Sequence, residues 1–140
     1  MSEAENVASV RRFVDAFNRL DLESVVADIE EDAELHEWPE APGARSYRGA
    51  EGVRAALDTW FDTWEWMRVE IEDIFDMGEH VLVVLHQRAK GKNSEVEVEI
   101  RSFNVYTFRE GKVIGIRLFL ERESALEAAG IDPDQQEVRP

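Results

Sequence analysis

Residues 67–121 read MRVEIEDIFDMGEHVLVVLHQRAKGKNSEVEVEIRSFNVYTFREGKVIGIRLFLE, and this stretch decides the fold. Apolar residues alternate with polar ones along most of it, and glycine-containing turns interrupt the alternation. A period of two between such turns predicts strands joined as an antiparallel meander. The expected strands cover about 67–76, 80–90, 95–109 and 112–121. Strands this long imply twist or bulges, so a curved sheet is expected.

The segment before the meander has a helical period instead. Apolar residues recur at three- and four-residue steps and predict an amphipathic helix that ends near residue 19. Its apolar face comprises Val7, Val10, Val14 and Phe17. Asp21 can cap a short second helix, which the acidic run at 30–32 closes. A strand at 33–38, a loop at 39–43 with two prolines, and a third helix from about residue 49, with Trp64 on its apolar face, are expected next.

Three helices followed by a meander predict an α+β domain, with the helices packed across one face of a curved antiparallel sheet. The curved sheet forms a cone whose mouth the helices do not fill, so a pocket is expected there. A short terminal helix is predicted at 124–129 and a flexible tail at 132–140. Without a linker or repeat, residues 1–140 are expected to form one domain with a core over about 5–131.

Composition excludes several classes of function. Sixteen basic residues against 31 acidic ones give a formal net charge of −15, which disfavours nucleic acid and anionic membranes as partners. The chain has no cysteine, so disulfides and thiolate chemistry are excluded. The first residues carry acids where a secretory signal would be basic and apolar, and no apolar run approaches about 18 residues. A cytoplasmic protein is therefore expected.

Five segments add a resemblance to this pattern. They are FVDAFNRLDLESVVADIEEDAELHEWPE at 13–40, YRGAEGVRAAL at 47–57, HQRAKGKNSEVEVE at 86–99, YTFREGKVIGI at 106–116 and ESALEAAGI at 123–131. Together they resemble the SnoaL-like branch of the nuclear-transport-factor-2-like superfamily, over about residues 5–131. The superfamily includes polyketide cyclases, ketosteroid isomerases, limonene epoxide hydrolases, dehydratases and binding domains without activity. The resemblance therefore implies a pocket and often a dimer, but no single reaction.

The resemblance also implies candidate catalytic residues. Ketosteroid isomerases carry a carboxylate base at the end of the first strand, and Glu37 matches that position. Their first-helix tyrosine, a donor to the oxyanion, is matched by Phe13, which has no hydroxyl. Their second donor is matched by Asn104, which can donate without titrating. Cyclases and epoxide hydrolases of the superfamily use aspartates on the sheet, but none occurs between Asp76 and Asp132. Glu37 is therefore the main candidate for a carboxylate in the pocket.

Matching the second meander strand to the isomerases places one row of side chains on the concave face. That row is Leu82, Val84, His86 and Arg88, with Val81, Val83, Leu85 and Gln87 opposite. Both rows are apolar enough that the sequence alone does not choose between them. If the matching holds, His86 can relay protons near neutral pH. Arg88 can anchor a ligand oxygen, or it can pair with a neighbouring glutamate.

Aromatic and aliphatic side chains complete the expected site. Trp38 and Trp60 lie near the expected mouth and are candidate walls, with Phe13, Ile116 and Leu118 as further substrate contacts. The three histidines lack the spacing of a metal site, and no glycine-rich phosphate loop is present, so neither a metal nor a cofactor is expected. Superfamily members often pair through the outer sheet face, so a homodimer involving Arg101 and Phe103 is expected.

Two functions remain open from the sequence. The first is a cofactor-independent enzyme that acts on an apolar carbonyl or polyketide-like compound, as a cyclase, isomerase or dehydratase. Glu37 would be its base, His86 its proton relay, and Asn104 with Arg88 would stabilise negative charge. The alternative is a module that binds a hydrophobic metabolite without changing it, or an oligomerisation domain.

Overall fold

Four helices and six strands make up the part of the chain that the computed structural model describes, residues 3–38 and 45–129. In chain order they are α1 (Glu3–Asn18), α2 (Leu22–Val26), β1 (Ile29–His36), β2 (Ser46–Arg48), α3 (Gly49–Thr63), β3 (Trp64–Met77), β4 (His80–Gly91), β5 (Glu97–Arg109), β6 (Lys112–Phe119) and α4 (Arg122–Ala128). The predicted α+β class with helices across a curved sheet is confirmed. The predicted loop at 39–43 and tail at 132–140 lie outside the described residues.

One mixed sheet contains all six strands, in the order β2-β1-β6-β5-β4-β3. The four meander strands pair antiparallel as predicted. The sheet is not antiparallel throughout, because β1 runs parallel to β6, with His36 opposite Arg117. Register shifts interrupt the pairing of β1 with β6, of β3 with β4 and of β5 with β6, and those in the meander supply the bulges expected of its long strands.

The first strand is the element that the sequence pattern located least well. It begins at Ile29, so the acidic run at 30–32 lies within a strand and does not close α2. Ile29 and Ala33 are buried while the acids between them are at least partly exposed. A second correction concerns Trp64, which was expected on the apolar face of the third helix and is the first residue of β3.

Side-chain hydrogen bonds at two places hold the N-terminal helices. The Asp21 carboxylate accepts hydrogen bonds from the backbone N–H and the hydroxyl of Ser24, at 3.3 and 2.7 Å, so the predicted N-cap of α2 is confirmed. These bonds lower the pKa of Asp21. At the end of α1, the Asn18 amide donates to the Val69 carbonyl at 2.8 Å and accepts from its N–H at 2.9 Å. Because β3 is an edge strand, this pair of bonds attaches α1 to backbone groups that no neighbouring strand occupies.

The sheet has a hydrophobic core on each face. The larger core lies between the sheet and helices α1 to α3, and its most buried members include Val10, Val53, Leu57, Val83 and Ile116. The smaller core, called here the outer core, lies under α4 and consists of Phe75, Leu82, Val105, Phe119, Ala125, Leu126 and Ala129. Within the described ranges, no helix is long and apolar enough to cross a membrane.

Candidate functional site

A cavity of about 400 Å³ lies between the concave face of the sheet and helices α1 and α3. Its lining is aromatic and aliphatic, with a few neutral polar groups. Six side chains expected in the site are part of it, namely Phe13, Trp38, Trp60, Asn104, Ile116 and Leu118. Whether they bind a substrate stays a prediction. The lining also includes Phe17, Leu57, Thr63, Trp64, Met67, Leu85, Gln87, Ala89, Val98, Ile100 and Tyr106.

The expected concave row of the second meander strand is wrong. On β4 the cavity is lined by Leu85, Gln87 and Ala89, so the row with odd numbers faces the helices. The other row, Leu82, Val84, His86 and Arg88, lies on the outer face, where Leu82 and Val84 pack in or against the outer core. The physical reason is that α4 packs on the outer face of the sheet and buries apolar side chains there. Each of the two rows of β4 therefore contributes apolar residues to a different core.

His86 and Arg88 are therefore separated from the cavity by the sheet. His86 Nε2 is in hydrogen-bond contact with the Glu99 carboxylate, and its Nδ1 lies 3.7 Å from Glu70 Oε1. Beside them, Arg101 binds Glu72 through two hydrogen bonds of 2.6 and 3.2 Å, which lowers the pKa of the Glu72 carboxyl. These groups form a charged outer surface, and a role of His86 or Arg88 inside the cavity has no geometric support.

Glu37 lies behind the cavity wall. Its Oε2 accepts a hydrogen bond from the Trp60 indole N–H at 3.0 Å, and its Oε1 accepts one from the backbone N–H of Arg45, also at 3.0 Å. Both oxygens are thus engaged in holding Trp60 and the chain at Arg45. Glu37 borders a separate, shallower cleft with His36 and Arg117 and is absent from the lining of the main cavity. Its geometry is that of a group that positions Trp60.

Two consecutive hydrogen bonds connect Trp38, in the wall of the cavity, with Asn104 on β5. The Trp38 indole N–H donates to Ser102 Oγ at 3.1 Å, and the Ser102 hydroxyl donates to Asn104 Oδ1 at 2.6 Å. Ser102 is fully buried and Asn104 is 4% exposed. The Asn104 amide nitrogen makes no hydrogen bond to another described residue, although Asn104 lines the cavity. It is a free donor at the surface of the cavity.

Tyr106 is the site residue that the sequence reasoning missed. It stands two positions beyond Asn104 on β5, so both side chains face the cavity. Its ring meets Phe13 edge to face, with centroids 5.2 Å apart. Burial raises the pKa of the Tyr106 phenol, which therefore stays protonated and can donate. The signal that could have found it was the period of two counted from Asn104.

Charge is absent from the described part of the lining. Among the lining residues that the structure describes there is no aspartate, glutamate, lysine, arginine or histidine, and Tyr106 is their one titratable group. The neutral polar groups are Gln87, Asn104, Tyr106 and Thr63, whose hydroxyl already donates to the Thr59 carbonyl at 2.8 Å. Elsewhere in the described ranges, no three histidine or carboxylate side chains come together as metal ligands. The site can bind and polarise a neutral molecule, but its described residues include no carboxylate or imidazole base.

A family model now accounts for this arrangement. The model of the SnoaL-like domain matches residues 10–116, which is most of the chain and runs from within α1 to within β6. The chain belongs to the SnoaL-like domain family. The recognition made from the five segments is thereby confirmed. No curated protein sequence matches this SnoaL-like domain.

Solved structures agree on the fold of the SnoaL-like domain. An NTF2-like protein from Burkholderia xenovorans LB400 is 27% identical with a TM-score of 0.72, covering 92% of this chain and 98% of its own. A protein from Jannaschia sp. CCS1 named as a SnoaL-like polyketide cyclase is 17% identical with a TM-score of 0.74, covering 93% and 94%. TerC, co-crystallised with polyporic acid, is 17% identical with a TM-score of 0.76, covering 90% and 98%.

Proposed function

We propose that this SnoaL-like domain binds a small, uncharged and largely apolar molecule that carries an acceptor oxygen. The observation that supports this proposal is the lining of the cavity, which has aromatic walls, neutral groups able to donate on Asn104 and Tyr106, and no charged side chain among the described residues. A pocket that is mostly apolar with a few converging polar groups is the usual form of a small-molecule site.

The lack of charge narrows the class of ligand. Transfer of an ionised carboxylate or phosphate into such a cavity costs many kcal/mol unless a cation meets it, and the described lining offers none. A neutral carbonyl oxygen loses much less hydration, and two donors are available to replace its water. The rings of Trp38 and Trp60, with centroids 6.0 Å apart, suit a flat aromatic ligand.

Fluorescence titration tests this binding. Trp38, Trp60 and Trp64 line the cavity, so a neutral tricyclic ketone such as fluorenone is expected to quench tryptophan emission with saturation. Ala89→Phe should fill the cavity from β4 and reduce the affinity at least about tenfold, whereas Ala55→Phe, on the exposed side of α3, should leave it unchanged. Equal affinity in the two variants, or no saturable quenching in the wild type, would refute the proposal.

Catalysis at the same cavity is a second candidate, favoured by the pair of donors. Asn104 and Tyr106 are neutral, neighbouring and fixed, so they can stabilise negative charge that develops on a ligand oxygen. A ring closure or isomerisation of a polyketide-like ketone would gain from such polarisation and from orientation by the walls. A base at Glu37 and a relay at His86 have no support in the geometry, so the proposed catalysis relies on these donors, and solvent water accepts the proton that leaves carbon and returns it to the product. It predicts that His86→Gln, on the outer face of the sheet, leaves turnover unchanged.

A further inference from the structure

We propose that Ser102, held by Trp38, determines the ligand preference of the cavity by fixing the orientation of the Asn104 amide. The cavity then selects molecules that present a carbonyl oxygen over molecules of similar shape that present an N–H. This inference rests on the binding proposed above. Ser102 is a positioning residue, since its hydroxyl bonds to Trp38 and Asn104.

The direction of these two hydrogen bonds follows from which groups can donate and which can accept. An indole N–H can only donate, so Ser102 Oγ must be the acceptor at the Trp38 end. A serine hydroxyl has one hydrogen, and that hydrogen is then left for the next partner. The two partners in reach are Asn104 at 2.6 Å and the Phe119 carbonyl at 3.4 Å. The shorter contact is a strong hydrogen bond and the longer one is marginal, so the hydroxyl donates to Asn104.

The orientation of the amide is a consequence of this direction. A donated hydrogen requires an oxygen on Asn104, so Oδ1 faces Ser102 and the NH₂ group is turned away from it. The flipped amide would donate to the second lone pair of Ser102 Oγ and leave the serine hydrogen only the Phe119 carbonyl at 3.4 Å, so a short hydrogen bond would be exchanged for a marginal one. Tyr106, two positions along β5, faces the same cavity and carries a second protonated group. At Asn104 the cavity therefore presents a donor, and a ligand N–H placed there would leave this donor without a partner.

Two rigid probes of nearly equal shape measure this preference. Fluorenone presents a carbonyl oxygen, and carbazole presents an N–H at the corresponding position of a similar tricycle. The wild-type protein is expected to bind fluorenone about tenfold more tightly than carbazole, the usual effect of one hydrogen bond gained against donors left unpaired. In Ser102→Ala the amide can turn, so the ratio of the two affinities should fall to between one and two. Ser102→Thr keeps the hydroxyl and should keep the wild-type ratio.

The ratio separates orientation from general loosening, because a looser cavity would weaken both probes by the same factor. Should Ser102→Ala fail to fold, Trp38→Phe removes the other of the two hydrogen bonds and should also lower the ratio. An unchanged ratio in the folded variant would overturn the inference. A wild-type ratio near one, with both probes bound, would overturn it while the proposed function stands. If neither probe binds to the wild type, both proposals fail.

Discussion

Tyr106 and Glu37 show how a side chain's surroundings decide its use. Glu37 is ionisable and stands at the position where related isomerases keep a base, yet its two oxygens hold Trp60 and the chain at Arg45. Tyr106 is a neutral phenol that was not expected in the site, yet its ring lines the cavity and burial raises its pKa. A choice of candidate residues by charge alone would therefore select Glu37, which does not line the cavity, and omit Tyr106, which does.

The phenol of Tyr106 predicts a stability that depends on alkaline pH. In the unfolded chain a tyrosine ionises near pH 10, about its ordinary pKa, whereas burial keeps Tyr106 protonated in the folded state. Above that pH the folded state holds more protons than the unfolded state. The free energy of unfolding contributed by this group is therefore complete below about pH 10, and it falls above it by up to about 1.4 kcal/mol per pH unit.

Urea unfolding of the wild type and of Tyr106→Phe between about pH 9 and pH 11 measures this contribution. The variant lacks the phenol, so its free energy of unfolding should decline less steeply over that interval. Other groups titrate equally in the two proteins, which makes the difference between the slopes specific to Tyr106. Parallel curves would mean that the phenol reaches solvent in the folded state.

The elements differ in how far the sequence alone could predict them. The meander strands were predictable because alternation and glycine turns are local signals, and observed β3 to β6 fall within a few residues of the expected ranges. Strand β1 pairs in parallel with β6, which is distant in sequence, and its partly exposed acids resemble a helix end. The face of β4 was undecided for a related reason. Two apolar rows are equivalent until the positions of α1, α3 and α4 are known.

The residues of the candidate site divide in the same way, into those that the sequence located and those that it did not. Phe13 and Asn104, which the resemblance implied, and Trp60, on the face of the predicted third helix, line the cavity. The expected site at His86 and Arg88 depended on the face of β4, and the contribution of Ser102 depends on hydrogen bonds that no sequence pattern reports. The sequence pattern therefore did not report the contacts between distant segments on which these residues depend.

Separate cores on the two faces of the sheet predict that stability and binding can be changed independently. Leu126 on α4 and Leu57 on α3 are almost equally buried, at 2% and 1% exposure, but only Leu57 lines the cavity. Leu126→Ala and Leu57→Ala should each lower the free energy of unfolding by about 2–5 kcal/mol. Leu126→Ala should leave the affinity for fluorenone within about twofold, whereas Leu57→Ala should weaken it further by loss of wall contacts.

Denaturant unfolding and fluorescence titration on the same samples provide the comparison. Both variants replace a leucine by alanine in a helix, so each serves as the control for the other. A large loss of affinity in Leu126→Ala would show that the outer core shapes the cavity through the sheet. That result would contradict the independence of the two faces.

At the scale of the whole molecule, the charge and the cavity have separate locations. The chain carries −15 in formal charge, yet the described lining of the cavity has none, so the acids lie on the surface and in the outer face of the sheet. Around Arg101 that outer face is occupied by ion pairs, and Phe103 packs against the outer core. The homodimer through this face stays a prediction, and sedimentation equilibrium would measure it.

The excess of acids predicts that salt stabilises the protein. Like charges repel more in the compact folded state than in the expanded unfolded chain, and the Debye length falls from about 30 Å at 0.01 M to about 8 Å at 0.15 M salt. The melting temperature should therefore rise by roughly 3–6 °C over this interval, which is about 1 kcal/mol for a domain of this size. The exposed pairs Arg101–Glu72 and Arg54–Glu23 are screened as well, but pairs of this kind contribute little in solution.

Replacing two exposed acids, Glu95→Lys and Glu127→Lys, should reduce the dependence of the melting temperature on salt, because each change removes two units of the repelling charge. A melting temperature that falls with salt would mean that the ion pairs outweigh the net repulsion, and the acidic surface would then be a stabilising network.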